Sequence, residues 1–87
     1  MGNLSSVDTS DKHVKDMIAS LLSVDKLRAK DVLIEASKAY QPIEIVERII
    51  VPSLEQIGEG WITDTVSLSQ VYMSGKICSE ILDDVIL

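Results

Sequence analysis

Ser67-Leu68-Ser69-Gln70-Val71-Tyr72-Met73-Ser74-Gly75 decides the fold, because it opens on a capping box. The Ser67 hydroxyl can accept from the third helical N–H, while the Gln70 side chain reaches back to the N–H of Ser67. Val66 before the cap and Val71 at the fourth helical position can form the hydrophobic staple. Leu68, Val71, Tyr72, Gly75, Cys78, Leu82 and Val85 then recur at helical spacing. A helix starts here.

Working back, Ile43, Val46, Ile50, Leu54, Ile57 and Trp61 share one face of a preceding helix that begins at Pro42. Proline suits a first helical position, and Glu44 and Glu47 lie near the positive end of the dipole. Pro52 falls inside this run, where it removes a donor and meets the carbonyl of Arg48, so a kink is expected there. Gly58 and Gly60 weaken its end. Before the Tyr40-Gln41-Pro42 break, a helix capped by Asp25 runs to about Ala39, with Leu27, Val32, Leu33, Ala36 and Ala39 mostly inward. The first helix, capped by Ser10 or Asp8, carries Val14, Met17, Ile18, Leu21 and Leu22. No segment alternates with the period of a strand. The expectation is all-α: a four-helix bundle over residues 10–87, its third helix kinked at Pro52, behind a flexible arm of residues 1–9.

Composition agrees and excludes much. In 87 residues, 46% are apolar and 25% charged, which places the chain in the globular class with a single core. Aromatics are only 3% (Trp61, Tyr40, Tyr72), so that core has to be aliphatic. Fourteen acidic against eight basic residues, the latter in no stripe, argue against nucleic-acid and anionic-membrane partners. One cysteine makes no internal disulfide, and no apolar run approaches a membrane span or a signal peptide. A cytoplasmic location is expected.

Catalytic apparatus is hard to find. His13 is the one histidine and reads as a solvated residue of the first helix; it cannot build a His/Cys metal site with Cys78 alone. Cys78 reads as a buried, inert thiol. Asp83 and Asp84 are adjacent, so they diverge by about 100° on a helix and do not form a pair across a cleft. Gly58-Glu59-Gly60 is too short for a phosphate loop. The chain reads as a binding or assembly module and not an enzyme. What remains is Trp61 beside two glycines, then Thr63-Asp64-Thr65, then Leu68, Val71 and Tyr72. Antiparallel neighbours would gather these side chains at one bundle end. Trp61 would either plug the core there or belong to an apolar patch presented to something flat.

The segment Ile49-Ile50-Val51-Pro52-Ser53-Leu54-Glu55-Gln56-Ile57-Gly58-Glu59-Gly60-Trp61 resembles the helical cap domains of cobalamin-binding proteins, as in methionine synthase, methyltransferase corrinoid proteins and cobalamin-dependent light sensors. Residues 67–75 continue the resemblance, which spans about residues 10–87. It implies a cap over the upper face of the corrin, with the lower ligand supplied by a following α/β domain through Asp-x-His-x-x-Gly. Trp61 matches the family's capping aromatic, and Leu68 and Val71 its apolar contacts; Tyr72 completes the expected cofactor-binding set. The light sensors' Glu-His pair is replaced here by Val71-Tyr72, which favours a methyl-transfer type of cap. Asp11-Lys12-His13 does not substitute for the lower-ligand motif, since Asp16 stands where Gly is needed, and these 87 residues include no α/β domain. The resemblance therefore implies a non-catalytic module of a corrinoid methyl carrier. Its partners would be the α/β domain and methyltransferase subunits, and the isolated chain would bind no cofactor appreciably. The competing reading is a cofactor-free dimerisation or docking module, with Trp61 as anchor and a homodimer as product.

Overall fold

The computed structural model describes residues 9–86. Four helices and no strand are found among them. Helix α1 spans Thr9–Leu22 and α2 spans Lys26–Ala36. Helix α3 occupies residues 42–62 in three consecutive pieces: an α turn Pro42–Ile45, a π-helical segment Val46–Ile50 and an α-helix Val51–Ile62. Helix α4 spans Leu68–Ile81 and continues through a π-helical turn Leu82–Ile86. The expected arm falls almost wholly on residues 1–8, outside the described ones, as does Asp8. Ser10 lies within α1 and is buried, so it is not the cap.

Capping chemistry sets the other starts. The N–H of Arg28 donates to Asp25 Oδ1 at 3.0 Å. At the start of α3, the N–H of Gln41 donates to Glu44 Oε1 at 2.8 Å. The predicted box on α4 closes both ways, with Gln70 N–H to Ser67 Oγ at 3.1 Å and Ser67 N–H to Gln70 Oε1 at 2.9 Å.

Two helix ends close alike. At the end of α1, Asp25 N–H reaches the Ser20 carbonyl (2.8 Å) and Val24 N–H that of Leu21 (3.0 Å). At the end of α3, Thr65 N–H reaches the Gly60 carbonyl (2.8 Å) and Asp64 N–H that of Trp61 (3.2 Å). Both are Schellman closures, which need a left-handed residue just past the helix. Val24 (φ 56°) and Asp64 (φ 67°) fill that position. Asp tolerates it, whereas a β-branched residue is strained there. Val24→Gly is therefore expected to raise stability by about 1 kcal/mol in urea denaturation, the strain relieved outweighing the flexibility added.

The core is aliphatic, as composition required. Met17 and Leu21 of α1 meet Ala29, Leu33 and Ala36 of α2, Ile45, Ile49, Ile50 and Ile57 of α3, Val66, and Ile77, Cys78 and Ile81 of α4. The inward face of α2 is the alanine line, so Leu27 and Ala39 are exposed, against expectation, and α2 ends at Ala36. The smallest side chains sit where α2 comes closest to α1; reading inwardness from side-chain size reverses that.

The buried line of α3 also differs. It runs Ile45, Ile49, Ser53, Ile57, while Ile43 and Trp61 are exposed. Each i+4 step overshoots a 3.6-residue turn by about 40°. The wider π register of Val46–Ile50 absorbs that drift and keeps four successive residues on the core. Pro52 lies two residues past Ile50, inside the α-helical piece Val51–Ile62, and its missing donor leaves one rung of the α ladder empty. The expected kink at Pro52 is not confirmed; the irregularity recorded in α3 is the π segment.

Three serines are fully buried. Ser20 Oγ donates to the Asp16 carbonyl at 2.7 Å and Ser53 Oγ to that of Ile49 at 2.6 Å. Ser74 Oγ on α4 has no partner. An unsatisfied buried hydroxyl costs about 1–3 kcal/mol, so Ser74→Ala should raise the thermal midpoint measurably, by an amount corresponding to about 1 kcal/mol. Two ion pairs join α2 to α4, Lys26 to Glu80 at 3.3 Å and Lys30 to Asp84 at 3.9 Å. Their common i, i+4 spacing shows that the two helices run in the same direction, as alternate helices of an up-down arrangement do.

Candidate functional site

The α3–α4 connection, residues 63–67, joins the two helices that carry the expected site residues. Its anchor is the Gly60 carbonyl, which accepts from the N–H groups of Thr65 and Val66 (2.8 and 3.1 Å) and from the Thr63 and Thr65 hydroxyls (3.3 and 3.2 Å). Val66 drops into the core beneath this carbonyl. On the far side, Gln70 Nε2 donates to the Leu22 carbonyl at 3.3 Å and ties the start of α4 to the end of α1.

With Val66 filling that end of the core, Trp61 does not plug it. Its surface is 48% exposed, and on α4 Leu68 is 63% and Tyr72 65% exposed. Val71 is half-buried and packs against the core, so its place in the set is as support. Leu68 and Tyr72 come together, lining one shallow groove with Ser69 and Met73. Tyr72 is also a wall of the adjacent groove, shared with Val71, Gly75, Lys76, Ser79 and Glu80. Trp61 stands outside both, at the end of the neighbouring helix. Ile62 beside it is 81% exposed and was not in the expected set. The signal was present: Ile62 is apolar, follows the capping aromatic, and falls outside the inward stripe of α3.

The residues set aside as non-catalytic occupy ordinary surroundings. Cys78 is buried, and burial pushes its thiol up to about 11 from an ordinary 9.0. Between those two values the unfolded chain ionises and the folded one does not, so stability should fall as pH rises from about 9 to 11. Thermal midpoints of the wild type and Cys78→Ala over that interval check this: the wild type should fall more steeply than the variant. His13 is not simply solvated. It is partly buried, its ring edge-on to Tyr40 at 6.4 Å, and the Arg48 guanidinium lies 5.7 Å from the Tyr40 centroid. No group of three or more His, Cys, Asp or Glu residues that could hold a metal occurs among the described residues. No helix among them is long and apolar enough to cross a membrane.

This end of the bundle leaves an indole, a phenol and two aliphatic side chains exposed, those of Trp61, Tyr72, Ile62 and Leu68. Against models of known families, residues 14–85 match the B12 binding domain, in its helical cap form. The chain belongs to the B12 binding domain family. Comparison with curated proteins and with solved structures finds no match. Membership makes this chain a module of a cobalamin-binding protein, a binding domain without catalysis of its own, of a kind that usually pairs with a Rossmann-like domain. Trp61, Leu68 and Tyr72 offer an apolar lip suited to the face of a planar macrocycle.

Proposed function

We propose that this B12 binding domain caps the upper face of the corrin in a methyl-carrying corrinoid protein. Trp61, Leu68 and Tyr72 would hold the ring's upper face by apolar contact, with Val71, packed against the core, as support. The observation that carries this reading is the exposure of Trp61, Leu68 and Tyr72 near the facing ends of consecutive helices, in a chain whose one other aromatic, Tyr40, packs against the core. A Rossmann-like domain supplies the floor and the lower ligand, and methyltransferase subunits meet the cap in turn.

The bound cofactor supplies the organometallic chemistry. The protein's part is to keep water and stray reactants away from the upper face while leaving the lid able to move aside. Broad apolar side chains do the first. Carrying them on two helices joined by a short connection does the second, because the lip can shift with the bundle as one body. A change of axis at Pro52 would tilt the Trp61 end of α3 and belongs to the same reading. Val71 and Tyr72 provide no imidazole or carboxylate towards the ring, which supports a methyl-transfer cap over a light-responsive one.

The test is made on the whole protein. The reading frame is followed past the codon for Leu87, and the full-length product is purified and its absorption spectrum taken. A frame that continues into strand, Asp-x-His-x-x-Gly and helix, with a corrinoid spectrum in the product, supports the proposal. A full-length protein that takes up no corrinoid on reconstitution overturns it. Trp61 would then be the anchor of a protein-docking surface.

A further inference from the structure

Helix α2 presents a second unpartnered face, on the side away from α1. Ala29, Leu33 and Ala36 turn inward, and Lys26 and Lys30 are held by Glu80 and Asp84 of α4, which fixes the helix about its own axis. Leu27 and Ile34 consequently point to solvent, 76% and 44% exposed. They are seven residues apart and thus within about 20° of each other around the helix. Arg28 and Glu35, also seven apart, form a parallel exposed row beside them. The Arg28 side chain makes no ion pair among the described residues, and Glu35 is engaged only by Lys38 at 3.2 Å, on the open surface.

We infer that this face of α2 is a homodimer contact, in which the α2 helices of two copies pack antiparallel about a two-fold axis near Asp31. The pattern is self-complementary in one way only for a chain meeting itself. With the two-fold axis at the level of Asp31, Leu27 lies within one residue's rise, about 1.5 Å, of Ile34 of the second copy, and Arg28 within the same rise of its Glu35; the symmetry repeats both pairs. Two apolar pairs are then flanked by two ion pairs. The arrangement carries one cost: the two Asp31 carboxylates meet at the axis. The contact is separate from the lip at Trp61 and leaves it open.

Sedimentation equilibrium of the chain from micromolar to millimolar concentration tests the inference, with circular dichroism to confirm that each variant is folded. The expected result is a reversible dimer. Arg28→Glu and Glu35→Arg should each weaken it about tenfold, since each turns two attractions into two repulsions. The double variant R28E/E35R should regain the wild-type constant. Asp31→Asn should tighten the dimer several-fold by removing the repulsion at the axis, and Trp61→Ala should leave it unchanged. A chain that is monomeric at millimolar concentration overturns the inference. So does a dimer indifferent to Arg28→Glu, one loosened by Asp31→Asn, or one abolished by Trp61→Ala, which would place the contact at the other face.

Discussion

Trp61→Ala in the full-length, cobalamin-loaded protein is expected to raise the rate at which water and oxygen reach the upper face by about tenfold or more, while stability changes by less than about 1 kcal/mol. The two halves of this result come from one number. An indole that is 48% exposed contributes little to the core, so its removal leaves no cavity of the kind that costs about 3–5 kcal/mol when a buried Trp is truncated. The same exposure is what lets it cover another surface. A tenfold change corresponds to about 1.4 kcal/mol in the barrier to solvent attack, a modest demand on a side chain of this size. The measurement is the decay of the cofactor's absorption spectrum in aerated buffer, alongside a urea curve on the same preparation. If decay is unchanged and stability drops by several kcal/mol, Trp61 is a structural residue and the proposed cap loses its centrepiece. Leu68→Ala should act in the same direction and more weakly, having less area to withdraw.

How far the sequence announced this arrangement depends on which physics dominates at each place. Local hydrogen bonding was legible. Asp25, Pro42 and the Ser67–Gln70 box act where their spacing put them, because a cap is settled within four residues and owes little to the rest of the fold. Packing was less so. Leu27 and Ile43 were read inward as large apolar residues and are exposed, and Trp61, left open between a plug and a surface patch, is exposed too; the fully buried line of α3 runs through Ile45, Ile49 and Ser53, beside the expected Ile50 and Ile57. No local signal marks a π register, since it is selected by what the helix must reach. Residues that fit the apolar pattern but miss the core are left in solvent, and Trp61, Leu68 and Tyr72 are of that kind. Trp61, Leu68 and Tyr72 could be named from sequence, but only the fold distinguishes their exposure from the supporting role of Val71, and only the fold adds Ile62.

Gly58 and Gly60 carry the sharpest contrast that the structure offers, because the same substitution two residues apart should have opposite signs. Around a Cβ built on Gly58 there is nothing within 4 Å. Gly58→Ala therefore adds no clash and removes backbone freedom from the unfolded chain, which should stabilise by about 0.5–1 kcal/mol. A Cβ on Gly60 would overlap the Val66 side chain and crowd Thr65 Oγ1 at 3.1 Å. Neither neighbour can yield cheaply. Val66 is 8% exposed and fills the core at that end, and both Thr65 N–H and Thr65 Oγ1 are bound to the Gly60 carbonyl itself. Gly60→Ala should cost about 1–3 kcal/mol, the usual range for overpacking, and Gly60→Val more. Denaturation of the two alanine variants beside the wild type checks the signs. In the loaded protein the second variant should also hasten cofactor decay, because pushing Val66 out of place moves the connection that spaces Trp61 from Leu68. A Gly60→Ala protein as stable as the wild type would mean that residues 63–67 can open without cost, and the lip would then lack the rigid backing that a water-excluding lid requires.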